Sequence, residues 1–388
     1  MSPCRPNILI LPRWYPNRYD PMPGLFVRAQ AEALTSRCDV TVLYVHADPQ
    51  CPNMTETEFS VENGVNVIRV YFKPSPYPVA GWFRFYRAHF AGLALLGGQP
   101  PDLIHVHVLT REGVMGYLFG RKMKVPFLVS EHWSRYFPEN DFFRNPVKKS
   151  VTRFIAGRSA CLVAVSGKLK EAMIAKGLNH PSFPIIPNVI DMARFRPLPK
   201  SGAGGMKQVV HVSCFEDRSK NITGLLDAVS IVAKERNDFN IRLVGEGPDL
   251  GRMKDHAAGL GLSESLVSFA GLKEGDELVQ EYGNADFSVV SSRFETFGTV
   301  IPESLACGTP VLSTDVGIAS GVISAENGMI VPPGDTAELA AGFKTMLDRC
   351  GSFDRQKVSA SVGDRFSPET VAARLTELYC QILKHNDV

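Results

Sequence analysis

Short apolar runs alternate with segments of helical spacing along most of the chain. Strands that alternate with helices in this way predict parallel, doubly wound α/β sheets. The first series of apolar runs comprises residues 7–11, 40–45, 65–71 and 103–107. The second series comprises residues 208–213, 240–244, 266–270 and 285–290. The two series predict two separate α/β sheets in one chain.

A glycine-rich segment separates the two series. Residues 198–207 read LPKSGAGGMK, which is the one linker-like stretch in the middle of the chain. We therefore predict a first domain over residues 1–197 and a second over residues 198–367. Apolar residues recur at helical spacing in the last stretch, so residues 368–388 are predicted to form a separate closing helix.

Two glutamates stand eight positions apart in the second series. Glu295 follows the predicted strand 285–290, and Glu303 lies in a segment of helical spacing that Gly308 ends. Glu295 is thus expected in a loop at the carboxyl end of a strand, with Glu303 facing the same crevice from a helix. Ligands bind in that crevice in open parallel sheets.

The residues between the glutamates suggest a ligand with both phosphate and hydroxyl groups. Phe297, Gly298, Thr299 and Val300 would present backbone N–H groups at a helix N-terminus, which favours a phosphate. A carboxylate accepts two hydrogen bonds side by side and can hold the vicinal hydroxyls of a sugar without a metal. The pattern indicates a sugar joined to a diphosphate, although an isolated pair of glutamates would more often be solvated.

This stretch resembles the E-x7-E signature of the family 4 glycosyltransferases, and the surrounding SRFETFG and PESLACGTPVLSTDVG match as well. The resemblance implies the GT-B fold, an α/β fold of two doubly wound Rossmann-like domains that face each other across a cleft. It also implies that the last helix crosses back to the N-terminal domain. The implied reaction is a retaining transfer of a sugar from a UDP- or GDP-linked donor to a glycan or lipid-linked acceptor, in bacterial surface polysaccharide synthesis.

The resemblance assigns donor-site roles to residues of the second domain. Glu303 would hold the ribose, Glu295 the sugar hydroxyls, and Lys220 the leaving diphosphate. Cys214 stands where the family has an arginine, so Arg218 is the candidate substitute. The remaining donor-binding candidates are Phe297, Gly298, Thr299, Val300, Gly245, Gly247, Gly271, Leu272 and, from the first domain, Gly24.

The first domain supplies one candidate near the reacting carbon and three on the acceptor side. His132 follows the strand PFLVSE, where the family has a histidine that reaches toward the donor sugar. An imidazole can donate to a sugar hydroxyl or carry a proton near neutral pH. The acceptor-side candidates are Trp14, Arg84 and His107. Residues 82–96 mix aromatics with arginines, which indicates either an ordinary amphipathic helix or a contact with an anionic membrane.

Composition narrows the class of protein further. The chain has 42 Lys and Arg against 40 Asp and Glu, so it gives no support for a nucleic-acid partner. Its eight cysteines lack C-x-x-C spacing and are interpreted as buried free thiols of a reducing compartment. No apolar stretch is long enough to span a bilayer, so we expect a cytoplasmic protein, or one held peripherally at the inner face of the plasma membrane.

No cofactor and no metal is expected, since cations and a helix N-terminus would meet the charge of the diphosphate and no D-x-D triplet lies in a loop. Two alternatives remain open. A nucleotide-sugar epimerase or a phosphorylase of the same architecture would need further catalytic groups, to which no residue is assigned. The other alternative is a catalytically silent subunit that binds a nucleotide sugar or a glycan. It stays open because Cys214 stands where the family has an arginine.

Overall fold

The computed structural model describes residues 5–98, 100–140, 143–199 and 205–386. The strands of the first domain are β1 (Asn7–Pro12), β2 (Asp39–Ala47), β3 (Thr55–Glu62), β4 (Val65–Phe72), β5 (Leu103–His107), β6 (Phe127–Glu131) and β7 (Leu162–Ala164). Its helices are α1 (Leu25–Leu34), α2 (Pro78–Ala94), α3 (Arg111–Met123), α4 (Pro146–Arg158) and α5 (Gly167–Ala175). The strand order of this sheet is β3-β4-β2-β1-β5-β6-β7.

The second domain contains a six-stranded parallel sheet. Its strands are β8 (Lys207–Val212), β9 (Phe239–Val244), β10 (Val267–Gly271), β11 (Phe287–Val290), β12 (Val311–Thr314) and β13 (Gly328–Val331), in the order β10-β9-β8-β11-β12-β13. Its helices are α6 (Asp217–Lys220), α7 (Ile222–Ala233), α8 (Leu250–Gly259), α9 (Gly275–Asn284), α10 (Val300–Ala306), α11 (Ala319–Val322), α12 (Thr336–Arg349) and α13 (Arg355–Val362). The closing helix is α14 (Pro368–Asn386).

The prediction of two doubly wound α/β sheets is confirmed, and every strand predicted from an apolar run is present with its ends shifted by at most two residues. The sheets lie on opposite sides of residue 198, although the exact domain limits stay a prediction. No helix among the described residues is both long and apolar enough to cross a membrane.

One edge strand departs from the predicted parallel pairing. β3 pairs antiparallel with β4 through a tight turn at Asn63 and Gly64, which both have positive φ. Its sequence TETEFSVE alternates instead of forming a continuous apolar run, and Phe59 and Val61 remain 63% exposed on one face. A half-exposed antiparallel strand does not carry the apolar signature of a buried parallel one, so the sequence analysis missed it.

The expectation that the cysteines are buried free thiols is wrong at one functional position. The seven cysteines within the described ranges are all free thiols, and five of them are buried. Cys214, however, is exposed in the loop after β8, and Cys380 is half-buried on α14. Cys214 therefore lies in a loop that borders the cleft and does not contribute to the core.

Helix α14 packs against α1 of the first domain, so the chain crosses between the domains twice. Val371, Leu375 and Tyr379 of α14 are almost fully buried, and they share a core with Val27 and Leu34 of α1. The hydroxyl of Tyr379 lies 2.7 Å from Nδ1 of His105 in β5. Burial of this apolar stripe fixes the returning helix to the first sheet.

Shortening Leu375 to alanine should destabilise the first domain strongly. Leu375 is 1% exposed, and removing a buried leucine side chain typically costs about 2–5 kcal/mol of the free energy of unfolding. Urea unfolding followed by tryptophan fluorescence would measure the loss. The control is Arg374→Ala at an exposed position of the same helix, which should change the stability by less than about 0.5 kcal/mol. Equal effects of the two substitutions would contradict the packing of α14 onto α1.

Candidate active site

Each sheet has a point where its strand order reverses direction, and the candidate residues gather at these two points. In the second sheet the reversal lies between β8 and β11, and in the first between β1 and β5. Loops that leave the carboxyl ends of such strand pairs run in opposite directions and open a crevice. Lys220 follows β8 and Glu295 follows β11, so they lie on the two sides of the second crevice.

Lys220 and Glu295 form a short ion pair. Lys220 Nζ lies 2.5 Å from Glu295 Oε1, and Ser292 Oγ donates to the same oxygen at 2.8 Å. Burial lowers the pKa of Lys220, but the charge of Glu295 and the hydrogen bond to it outweigh burial and raise the pKa above its ordinary value. The ammonium is therefore charged near neutral pH and lies next to a carboxylate that can accept hydroxyl hydrogen bonds.

Main-chain contacts hold the two loops of this ion pair together. Ser291 Oγ donates to the carbonyl of Lys220 at 2.8 Å, and the N–H of Arg293 donates to the carbonyl of Ser219 at 2.8 Å. Arg293 also donates through its guanidinium to the carbonyl of Asp217 at 2.7 Å. The ion pair is thus built on two loops whose backbones are already joined.

Arg218, the proposed substitute for the family's arginine, points elsewhere. It is exposed, and its Nη2 donates at 3.4 Å to the carbonyl of Glu139 in the first domain. Cys214 is exposed, and its thiol is close enough to contribute to the raised pKa of Lys220. The position beside Lys220 is thus occupied by a thiol, and the arginine reaches across the cleft.

The glycines after β9 are required by packing between loops. A Cβ atom on Gly245 would lie 1.9 Å from the carbonyl oxygen of Ser213, and one on Gly247 would lie 2.5 Å from the nitrogen of Phe215. The N–H of Gly245 also donates to the carbonyl of Gly271 at 2.8 Å. The loops after β8, β9 and β10 therefore form one joined wall of the crevice, at whose end Leu272 is 41% exposed.

The segment from Phe297 to Val300 divides into a buried side chain and an available backbone. The ring of Phe297 is 1% exposed and packs edge-on against Phe366 at 5.7 Å. Its carbonyl accepts from the N–H of Ile318, while Gly298 adopts a φ of 84°. Over the part of the chain that the structure describes, the N–H groups of Gly298, Thr299 and Val300 donate to no protein acceptor. Phe297 is a core side chain, and the three N–H groups have no protein acceptor among the described residues.

Glu303 is held separately from Glu295. Its Oε2 accepts a hydrogen bond from the hydroxyl of Tyr282 in α9 at 3.3 Å. Burial raises the pKa of Glu303 to about 7, although the hydrogen bond from Tyr282 opposes the shift. A ligand hydroxyl that donates to this carboxylate would favour its charged form.

His132 lies at the end of β6 in an aromatic stack. Its ring is 4.5 Å from that of Phe26 and 5.1 Å from that of His107, and His132 Nε2 lies 3.0 Å from His107 Nδ1. Burial, with a smaller contribution from His105, lowers the pKa of His132 to about 3. His132 is therefore a neutral imidazole at physiological pH.

Glu131 is a site-building residue that the sequence analysis did not single out. It is fully buried, and one carboxylate oxygen accepts the N–H groups of His132 and Trp133 at 2.9 Å. The other oxygen accepts from the N–H of Leu109 at 3.1 Å and the hydroxyl of Tyr136 at 2.8 Å. The sequence could have indicated this role, because Glu131 ends an apolar strand and a buried acid needs hydrogen-bond partners.

The reversal point of the first sheet carries a cavity of about 320 Å³ that contains one of the three acceptor-side candidates. Trp14 lines it, as do residues not predicted from the sequence: Arg13, Asn17, Tyr19, Asp20, Pro23, Tyr44, Val45, His46, Ala47, Arg111 and Glu112. The Nε of Arg13 is buried and without a hydrogen-bond partner among the described residues, and its guanidinium stacks on Trp133 at 4.8 Å. A guanidinium group that lines a cavity favours an oxygen-rich ligand.

The other two acceptor-side candidates lie outside this cavity. Arg84 donates to the carbonyls of Lys73 and Pro74 at 3.1 and 2.8 Å, which fixes the start of α2. His107 is fully buried behind His132. Gly24 shapes the cavity's loop, because at a φ of 76° its Cβ would lie 2.1 Å from the carbonyl oxygen of Trp14.

Polar contacts join the domains beside the Glu295 loop. Ser166 Oγ caps α5 and donates to the carbonyl of Thr296 at 2.5 Å. Lys168 Nζ lies 2.8 Å from Asp315 Oδ1. The first domain thus contacts the second next to the candidate donor residues.

Comparisons with known proteins agree with this architecture. Residues 23–188 match the glycosyl transferase 4-like domain, and residues 206–349 match the glycosyl transferases group 1 domain. The 2-deoxystreptamine glucosyltransferase of Streptomyces kanamyceticus is 28% identical over 64% of this chain and 69% of its own length. The chain belongs to the family 4 glycosyltransferases, and it is a glycosyltransferase with the GT-B fold.

Solved structures support the fold independently. Sucrose-phosphate synthase from Thermosynechococcus elongatus superimposes with a TM-score of 0.78 at 22% identity, over 98% of this chain and 100% of that one. HepE of Anabaena, solved in complex with UDP-glucose, gives a TM-score of 0.72 at 19% identity, over 96% of this chain and 99% of its own. Both likenesses concern the arrangement of the two domains.

The raised pKa of Glu303 predicts a measurable pH dependence of stability. Between the ordinary value of 4.5 and about 7, the folded protein retains a proton that the unfolded chain has released. The stability contributed by this carboxyl is therefore present below pH 4.5 and is lost as the pH rises to 7. Relative to the wild type, Glu303→Gln should gain about 1–3 kcal/mol between pH 5 and pH 8 in urea unfolding. The control is Glu377→Gln at an exposed position, and parallel curves for all three proteins would refute the shift.

Proposed function

We propose that this glycosyltransferase takes a sugar from a UDP- or GDP-linked donor and transfers it, with retention of configuration, to a hydroxyl of a glycan or lipid-linked acceptor. The observation that carries the proposal is the ion pair of Lys220 and Glu295 next to Gly298, where the N–H groups of Gly298, Thr299 and Val300 have no protein acceptor among the described residues. Cations and N–H groups suit a diphosphate, and carboxylates suit sugar hydroxyls. HepE, with the same fold, is described in complex with UDP-glucose.

Each side chain has a defined part in this reaction. Glu303 accepts hydrogen bonds from the ribose hydroxyls, and Glu295 accepts them from the donor sugar. Lys220 stabilises the negative charge that grows on the diphosphate as its bond to the sugar breaks. Arg218 adds charge when the cleft closes further. The reaction needs no metal and no cofactor in this proposal.

Retention follows if the acceptor approaches the face from which the diphosphate leaves. The bond between the anomeric carbon and the phosphate oxygen breaks, and a bond to the acceptor oxygen forms on the same face. The acceptor proton passes to the leaving phosphate oxygen, so no separate protein base is required. Water must be excluded during this step, which the contacts of Ser166 and Lys168 with the second domain favour.

His132 acts as a neutral hydrogen-bond donor in this proposal. Its pair with His107 leaves one N–H without an acceptor, either at His132 Nδ1 or at His107 Nε2. His107 is fully buried, whereas His132 is 7% exposed. The Nδ1 of His132 is itself buried, so a sugar oxygen reaches it only after neighbouring side chains move. Binding there would select the tautomer in which His107 donates to His132.

The acceptor occupies the cavity beside Trp14 and Arg13. Aromatic side chains suit the faces of a sugar, and the guanidinium of Arg13 suits an oxygen. Arg84 and His107 support this region from outside the cavity. We place the reaction in bacterial surface polysaccharide synthesis, in the cytoplasm and at the inner face of the plasma membrane. A peripheral membrane contact belongs to the proposal because a lipid-linked acceptor stays at the bilayer.

One observation favours a second candidate function. Cys214 stands exposed where a cation would otherwise assist the leaving group. A catalytically silent subunit that binds the nucleotide sugar would keep Glu303 and the open N–H groups while losing that cation.

The donor class can be tested by thermal unfolding of the protein against UDP-, GDP- and ADP-sugars, with and without magnesium. A ligand that binds only the folded state raises the midpoint by mass action. We expect one diphosphate class to raise it without metal, and Glu303→Gln to abolish the shift. Glu377→Gln should leave the shift unchanged. If no nucleotide sugar raises the midpoint and no transfer to water or acceptor is detected, the proposed donor site is wrong.

Substitutions of Lys220 and Arg218 distinguish an active enzyme from a catalytically silent subunit. Lys220→Met should lower kcat for donor hydrolysis or transfer by about 100- to 1,000-fold, because a buried charge that stabilises the leaving group is lost. Arg218→Met should lower it less, since Arg218 is exposed. Steady-state kinetics with radiolabelled donor would measure both. Undetectable turnover in the wild type, combined with normal donor binding, would favour the silent subunit.

A further inference from the structure

Helices α2, α3 and α4 form one layer on the first sheet. Phe90 of α2 lies 5.1 Å from Phe119 of α3, and Tyr117 of α3 lies 5.4 Å from Phe154 of α4. The buried residues of all three helices belong to one apolar core. Right-handed crossovers toward β5, β6 and β7 put the three helices on the same face. We call this surface the α2–α4 layer.

The α2–α4 layer is strongly basic although the whole chain is nearly neutral. Its helices carry nine of the 42 Lys and Arg residues but one of the 40 acids, Glu112, which is 4% exposed. The nine are Arg84, Arg87, Arg111, Arg121, Lys122, Lys148, Lys149, Arg153 and Arg158. Across the described ranges, none of them lies within ion-pair distance of a carboxylate. The positive charge of the layer is therefore uncompensated.

Exposed apolar side chains lie among these cations. On α2, Val79 is 84% exposed, Trp82 44% and Phe83 59%. On α4, Val147 and Phe154 are 70% and 47% exposed, at a spacing that puts them on one face of the helix. Large apolar groups at such exposure are costly in water unless a partner covers them.

Several of the cations already lie on aromatic rings. Arg87 is 5.8 Å from the ring of Phe83, and Arg158 is 5.2 Å from the ring of Phe154. This places charged heads beside apolar groups along the same surface. Membrane interfaces favour this arrangement, because the ring enters the acyl boundary while the cation stays with the headgroups.

We infer that the α2–α4 layer docks peripherally on an anionic lipid bilayer. Negative headgroups complement the unpaired cations, and the acyl boundary covers the exposed apolar residues. A nucleic acid would match the charge but would leave the aliphatic residues Val79 and Val147 in water. The α2–α4 layer is then the membrane-facing surface of the proposed glycosyltransferase. Its charge and its exposed apolar residues do not depend on the donor site.

The docked face borders the acceptor cavity. Arg111 is the first residue of α3 and also lines that cavity beside Trp14. The N-terminal ends of α2 and α3 lie at the carboxyl edge of the sheet, on the side of the cleft. A bilayer on the α2–α4 layer would therefore bring headgroup-linked sugars to the mouth of the cavity.

Vesicle co-sedimentation tests the inference without any sugar substrate. The full chain should bind vesicles of phosphatidylcholine with 30 mol% phosphatidylglycerol at least tenfold more tightly than pure phosphatidylcholine vesicles, and salt should weaken the binding. Lys122→Glu combined with Lys148→Glu should weaken it by about 25-fold or more, at about fivefold for each cation removed. The matched control is Lys234→Glu with Lys254→Glu, which makes the same charge change at exposed positions of the second domain.

The outcomes separate the possible occupants. Loss of binding in the first pair and retention in the control support the α2–α4 layer. Equal weakening in both pairs, or equal binding to neutral and anionic vesicles, would overturn it. Binding to a DNA duplex but not to vesicles would also overturn it and would point to another polyanion. The thermal midpoints of both variants in solution report whether each still folds.

A second measurement follows the apolar contact. The sequence has three tryptophans, of which Trp82 belongs to the layer. Brominated phospholipid in the anionic vesicles should quench tryptophan fluorescence, and Trp82→Phe should remove most of that quenching while the protein remains vesicle-bound. Unchanged quenching in the variant would contradict insertion of α2. The donor panel is measured without vesicles, so failure of the donor site and failure of the docking surface remain distinguishable.

Discussion

The ion pair of Lys220 and Glu295 is the contact on which the candidate donor site depends. It joins two loops that are 75 residues apart in sequence but leave neighbouring strands at the reversal point of the second sheet. An unpaired lysine or glutamate buried in this position would be costly. The ion pair places both groups in the same crevice, where a ligand can exchange its own oxygens for those of Glu295.

The first domain contributes three uncharged imidazoles, in β5 and just after β6. Burial keeps the imidazoles of His105, His107 and His132 uncharged by lowering their pKa values. The carboxylate of Glu131 is fully used by the backbone of its own loop and by Tyr136. Neutral imidazoles do not compete with Lys220 for the negative charge of a ligand. The candidate site therefore combines the charges of Lys220 and Glu295 in the second domain with neutral imidazoles and the Arg13 guanidinium in the first.

The sequence predicted the fold well because parallel strands buried on both faces are continuous apolar runs. It failed at β3, whose alternating residues lack that signature. The candidate donor residues Lys220 and Glu295 could be predicted from the sequence because they occur in local motifs. The sequence did not predict a role for Arg13, Glu131 and Arg111, because their importance arises from loops that the strand order brings together. Arg84 and His107 were chosen as acceptor contacts by residue type, but carbonyl capping and burial determine where they lie.

The return of α14 to the first domain has a consequence for synthesis on the ribosome. The apolar faces of α1 and β1, which Leu375 and Tyr379 cover, leave the ribosome long before the helix that covers them. The first domain therefore cannot complete its core while the second is being translated, although domains otherwise tend to fold as they emerge. The apolar surface under α14 therefore stays uncovered for about 340 residues of elongation, and exposed apolar surface of this kind is where nascent chains aggregate.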